Sequence, residues 1–190
     1  MRPTRAELEA FHDAEVEDLL PPHLRLLFVG INPSPWTAAV GAHFARPGNR
    51  FYPALAAAGI LPHVVDASQG YDDADRALIE DAGIGVSNLV RRATARADEL
   101  SAEELREGAE RLARDVARWR PAVVAVLGVT AYRQGFGRPR AAVGRQAEDL
   151  AGAQLWVVPN PSGLNAHETT ASLAVAYAAP ARAAGVLRPR

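Results

Sequence analysis

Three short apolar runs constrain what this chain can fold into. Residues 25–29, 122–127 and 155–158 are near-continuously apolar, without alternation, as strands buried on both faces are. The first run ends in Gly30-Ile31-Asn32-Pro33-Ser34, the second in Gly128, the third in Pro159-Asn160-Pro161-Ser162-Gly163-Leu164. Helical patterns separate them, so the chain is predicted to be α/β, with a parallel sheet covered by helices on both faces. Residues 84–89 read as a further short strand.

The helices announce themselves by caps and spacing. Thr4-x-x-Glu7 is a capping box that predicts a helix to about Leu20, ended by Pro21-Pro22. Residues 31–48, with three prolines and two glycines, read as one long loop. Asn49 is placed to cap a short helix carrying Phe51 and Leu55, which Gly59 terminates. Residues 73–81 read as helix. Ser101-x-x-Glu104 opens another, on which Leu105, Ala109, Leu112, Val116 and Trp119 recur at spacings of four and three. Residues 128–135 form a short helix, and Asn165-x-x-Glu168 is expected to open a last, alanine-rich helix to about Ala184. The tail from Arg188 is expected to fray. No repeat, linker or low-complexity tract interrupts the pattern, which predicts one domain over residues 1–190.

Composition removes whole classes of chemistry. There is no cysteine, so disulfides, thiolate nucleophiles and cysteine-ligated metals are excluded. All 21 basic residues are arginine, so no side-chain amine can form a Schiff base. The five histidines show no metal-ligand spacing, and no phosphate-binding or dinucleotide-binding glycine motif is present; no metal and no cofactor are predicted. The first thirty residues do not read as a signal peptide, and no apolar run approaches the roughly 20 residues that span a membrane. Cytoplasmic residence is the expectation. Net charge is −1, yet residues 46–50, 91–96 and 133–145 hold arginines and no acid, so a basic face is possible on a near-neutral chain.

The polar turns after the first and third runs can face one pocket at the carboxyl edge of the sheet, where such folds build their sites. Each also has a structural reading, because Asn-Pro initiates turns. Phe44, between His43 and Arg46, is either a lid on the core or a stacking platform for a planar ligand. Asn88 either caps a turn or uses its amide to read the edge of a base. Leu164 either anchors its turn in the core or projects as a wedge.

Four segments in order, Gly30-Ile31-Asn32-Pro33, Phe44-Ala45-Arg46-Pro47-Gly48-Asn49-Arg50-Phe51, Gly85-Val86-Ser87-Asn88-Leu89-Val90 and Pro159-Asn160-Pro161-Ser162-Gly163-Leu164, carry a resemblance that spans about residues 24–180. The chain resembles the mismatch-specific uracil/thymine DNA glycosylases of the uracil-DNA glycosylase superfamily. The resemblance implies a three-layer α/β/α sandwich around a short, mainly parallel sheet. It implies a partner, double-stranded DNA with uracil opposite guanine, and removal of the flipped-out base by a monomer, as the first step of base excision repair. Asn32 aligns with the water-positioning catalytic residue. Phe44 aligns with the aromatic that stacks on the base, and Asn88 with a pocket position; the backbone of Ile31 and Phe44 would supply donors to the leaving base. Gly163 and Leu164, in the loop that also carries Asn160 and Ser162, align with the segment that fills the vacated stack. An asparagine is a poor general base, so slower turnover is expected than in relatives with aspartate there. Without lysine, base release is expected without strand cleavage.

Two departures stand out. Ser34-Pro35-Trp36 replaces the usual glycine-led sequence, and Trp36 is expected to reshape the pocket mouth. Ala166 stands where relatives often have arginine, with His167 as the nearest substitute. Two alternatives remain open at the level of sequence: the same chemistry on hypoxanthine, xanthine or an ethenocytosine, or a non-catalytic DNA- or nucleotide-binding module.

Overall fold

The sheet orders everything else. The computed structural model describes residues 3–188 and contains five strands, β1 (Leu26–Gly30), β2 (Ile84–Asn88), β3 (Val123–Leu127), β4 (Gly144–Arg145) and β5 (Gln154–Val158). Their order is β2-β1-β3-β5-β4, parallel except for β4, which runs antiparallel to β5. β1, β2 and β3 are buried at every residue; for β1 and β3 this is why they read as continuous apolar runs, whereas β2 carries the buried polar residues Ser87 and Asn88. β2 lies on one side of β1 and β3 on the other, so the chain reverses direction at β1 and leaves a crevice beyond its carboxyl end.

Helices cover both faces among the described residues. They are α1 (Arg5–Ala10), α2 (Pro35–Val40), α3 (Phe51–Ala57), α4 (Asp73–Asp81), α5 (Ala102–Trp119), α6 (Val129–Gly135) and α7 (Thr170–Ala183). On one face Leu26, Phe28, Val86 and Ala125 pack against Phe51 and Leu55 of α3 and Leu173 and Tyr177 of α7. On the other, Leu27, Val29, Val124 and Val126 pack against Leu105, Leu112 and Val116 of α5 and Tyr132 of α6. Each such side chain contributes on the order of 1.5–3 kcal/mol of transfer free energy. The result is the three-layer α/β/α arrangement, with the central strands packed on both faces.

Three expectations need correction. The box at Thr4 and Glu7 forms, but α1 stops at Ala10. Asp13 turns the chain at φ +64°, and the backbone of Leu19 then exchanges two hydrogen bonds with Val86 on the outer edge of β2. Pairing with the sheet buries Leu19, and it wins over helix continuation. The span 31–48 is not one loop. Ser34 caps α2 through its hydroxyl, Pro35 sits at the first helical position, and Gly41 ends the helix at φ +66°. Nor does Asn165 cap the last helix, since Thr169 and Ser172 make that box. The tail beyond Arg188 lies outside the described residues. No helix among them is long and apolar enough to cross a membrane.

Candidate active site

An open cleft of about 720 Å³ lies at the carboxyl edge of the sheet. Its wall is built by the ends of β1 (Gly30 to Asn32), β2 (Asn88), β3 (Leu127, Gly128) and β5 (Pro159, Asn160), and by the segments around Phe44 and Leu164. Ile31, Asn32, Phe44, Asn88, Asn160, Ser162, Leu164 and His167 all line it, and Gly163 sits exposed between two of them. The two polar turns therefore do face one pocket.

Asn32 is held by its nitrogen. Nδ2 donates to the carbonyl of Arg92 at 3.0 Å and to Oγ1 of Thr94 at 2.7 Å. Both amide protons are thus used, and Oδ1 remains as an acceptor for whatever enters the cleft. The supports are themselves fixed. The Thr94 hydroxyl donates to the carbonyl of Arg96 at 2.7 Å. The Arg92 guanidinium bonds Glu104 at 2.6 and 3.2 Å, Asp13 at 2.9 Å and the carbonyl of Glu99 at 3.1 Å. The hydrogen bonds from Arg92 hold the Glu104 carboxyl down at about 2.

Phe44 stands at φ +56°, the left-handed region that side chains with a Cβ seldom occupy. Strain of this kind collects where a side chain must be aimed. The ring packs on Phe51 with centroids 4.1 Å apart, and it also lines the cleft. Neither Phe44 nor Ile31 has a backbone acceptor for its N–H among the described residues. Gly30 is dictated by close approach: a Cβ there would stand 2.6 Å from Oδ1 of Asn88 and 3.4 Å from the Phe44 ring.

Asn88 is only 5 % exposed, and its Nδ2 lies 3.4 Å from Nδ1 of His43. The His43 ring is buried, which pushes its pKa down. Its Nε2 lies 2.9 Å from the carbonyl of Glu17.

The loop after β5 is built from successive side-chain-to-backbone turns. Oδ1 of Asn160 accepts from the Ser162 N–H at 3.0 Å, Oγ of Ser162 from Leu164 at 3.2 Å, and Oδ1 of Asn165 from His167 at 3.3 Å. Arg50 clamps it from beneath. Its Nη2 donates to the carbonyls of Ser162 and Asn165, each at 2.6 Å, and its Nη1 to that of Glu168. Gly163 presses so close that a Cβ would stand 2.7 Å from the Gly48 carbonyl oxygen. So held, Leu164 projects into solvent at 71 % exposure, which removes the core-anchor reading.

Trp36 does not reach the mouth. Its Nε1 donates to the carbonyl of Ser68 at 3.1 Å, and the ring packs against the α3/α7 side of the core. Ala166 is exposed. Sequence reasoning missed the roles of Thr94, Arg92, His43 and Arg50. Nothing in the spacing marks Thr94 or Arg92, whereas His43 and Arg50 flank the Phe44 segment and could have been questioned. Among the described residues no cluster of acids and histidines could hold a metal ion.

The fold and this cleft define an α/β/α protein with an open cleft at the point where its strand order reverses, the place where such folds bind ligands. Residues 17–179 match the model of the uracil DNA glycosylase superfamily, and the chain belongs to that superfamily. The solution NMR structure of a "putative Uracil DNA glycosylase" from Methanosarcina acetivorans has the same fold, with a TM-score of 0.60 at 14 % identity over 92 % of this chain and 98 % of that one. Superfamily membership supports a DNA glycosylase, a hydrolase whose partner is DNA.

Proposed function

We propose that this chain is a monofunctional DNA glycosylase that removes uracil from G·U mismatches in duplex DNA, acting as a monomer by the mismatch-specific branch of its superfamily's chemistry. One observation carries the reading: both N–H groups of Asn32 are tied to Arg92 and Thr94, so its carbonyl oxygen is the group offered to the same cleft that Phe44 lines.

The chemistry follows from charge. Breaking the N-glycosidic bond leaves positive charge on the sugar and negative charge on the base. Oδ1 of Asn32 accepts a hydrogen bond from a water and so turns a lone pair of that water toward the anomeric carbon. A carboxamide cannot take the proton away, so the sugar cation must be well developed before water adds. The N–H groups of Ile31 and Phe44, which have no backbone acceptor, and the amide of Asn88 belong to residues that line the cleft, and donors placed there would lower the energy of the departing base by bonding its carbonyl oxygens. The Phe44 ring supplies the stacking surface that a flipped base has lost. Leu164 enters the gap in the duplex. With no lysine, no side-chain amine can form an imine with the opened sugar, and the product is an abasic site in an intact strand.

Labelled duplexes carrying uracil, thymine, hypoxanthine or ethenocytosine opposite each base, treated with alkali, test this. The reading requires cleavage after alkali at uracil opposite guanine and none before it. Asn32→Ala should lower excision at least about a hundredfold while damaged duplex is still bound. No abasic product from any duplex would leave a DNA-binding module on this scaffold.

A further inference from the structure

We propose that His43 is a positioning residue: its neutral ring fixes which way round the Asn88 amide sits, and so decides which hydrogen-bond pattern the base pocket accepts. This rests on reading the cleft as a base pocket. The argument starts from the Glu17 carbonyl, which can only accept. Nε2 of His43, 2.9 Å away, must therefore carry the proton. In a neutral imidazole Nδ1 is then an acceptor, and the group 3.4 Å from it on Asn88 must be the NH₂ end. The carbonyl end of that amide is packed beside Gly30. With a single tautomer at His43, the buried amide has one favourable orientation.

That orientation presents an acceptor and one remaining N–H. A base edge with an N–H beside a C=O, as in uracil, complements it. Cytosine has the reverse pattern, a bare ring nitrogen beside an NH₂, and complements only the turned amide. Leaving a buried polar group unpaired discriminates far better than shape does.

The same arrangement makes the site proton-sensitive. His43 forms part of the wall between the cleft and a second hollow of about 290 Å³. Glu15, Glu17, Asp18, Tyr71 and Arg76 line that hollow with it, Asp18 being tied to Arg91 at 3.1 Å; on the cleft side stand Arg46, the Arg96–Asp98 pair, His167 and Glu168. Burial outweighs the Glu17 bond and the Asp18 charge and keeps the ring neutral below the ordinary histidine range. Once protonated, Nδ1–H would oppose the NH₂ of Asn88, and the amide would have to turn.

Two measurements decide it. Long-range ¹H–¹⁵N spectra of the free protein should show His43 protonated at Nε2 alone, and the Asn88 side-chain NH₂ signals should move as His43 titrates in acid. Single-turnover excision from duplexes with uracil or cytosine opposite guanine should lose its uracil rate in acid with the same midpoint. His43→Phe, which keeps the ring and removes both nitrogens, should lower the uracil rate about 10- to 100-fold and narrow the uracil-to-cytosine ratio. His43→Gln, which restores a donor and an acceptor without titrating, should recover much of the rate and lose the acid limb. An Nδ1-protonated tautomer, or a folded His43→Phe enzyme with the wild-type ratio and pH profile, overturns the proposal. A wild type inert on every base overturns the functional reading instead, and the spectra alone then decide the positioning role.

Discussion

A carboxamide suits position 32 because its two ends do different things. The NH₂ end is bound to an acceptor, the Arg92 carbonyl, and to the Thr94 hydroxyl, while the oxygen is left to the cleft. Aspartate would therefore not be a simple improvement. Asn32→Asp sets a carboxylate oxygen against the Arg92 carbonyl and should cost about 1–3 kcal/mol of stability, read by urea unfolding. It should also fail to raise the excision rate, and a faster, equally stable Asn32→Asp enzyme would contradict this account of Asn32. At the neighbouring position, Gly30→Ala aims a methyl at the Asn88 oxygen. Because it meets side-chain ends and not backbone, the fold should survive at a cost of about 1–3 kcal/mol. Excision should fall by more than about tenfold as the amide is displaced, a split that stability and activity assays together would reveal. Asn32, Asn88 and Leu164 could be singled out in the sequence because each stands in a turn or strand end, and Phe44 because it is an aromatic among polar neighbours; their roles came from the resemblance, and the structure lines one cleft with all four. Thr94 and Arg92 could not be, since they act on Asn32 from 60 residues away and more, and no local pattern records that contact.

Elements differ in how openly they declare themselves. α5 lies where its cap and periodicity put it, and α4 spans the residues read as helix, because nothing competes with those local preferences. α1 ends early because the following segment has a better partner in the edge of β2. α2 was hidden inside a proline-rich stretch whose Ser-Pro pair is in fact a helix start. The loop after β5 depends on Arg50, whose role no sequence period could show. Arg50→Gln should lower stability by on the order of 3 kcal/mol, since the three carbonyls lose charged donors. It should also reduce excision from duplex more than from single strands. Leu164→Ala should produce the same duplex-selective loss with no change in melting temperature, because the side chain is already in solvent. Equal losses on duplex and single strand would count against the wedge. α5 supplies a separate handle at its amino end. The Glu104 carboxyl is held at about 2, below its ordinary value, so its contribution to stability is present above about pH 4.5 and lost as pH falls toward 2. Glu104→Gln should accordingly lower the melting temperature near neutral pH, with the difference shrinking below about pH 4.5 and vanishing once pH falls below about 2.

At the scale of the molecule, the arginine-rich segments are less available than their composition suggests. Arg91, Arg92 and Arg96 pair with Asp18, Glu104 and Asp98; Arg138 and Arg145 pair with Glu148 and Asp149; and Arg50 turns inward. Besides Arg50, the arginines of those segments without an acidic partner among the described residues are Arg46, Arg140 and Arg133, which bonds only the Ala141 carbonyl, and Arg46 lies on the cleft. Affinity for DNA should therefore fall only gently with salt, and Arg46→Ala should reduce the slope of log K against log salt by about 1. A steep slope left untouched by this change would place the phosphate contacts elsewhere. The two margins of the sheet carry a different consequence. Leu19 is bonded along β2, and the two residues of β4 lie along β5, so neither outer strand offers a full row of open amides. A sheet finished at both borders gives a neighbouring copy little to zip onto, and concentrated solutions of this protein should resist fibril growth through strand recruitment.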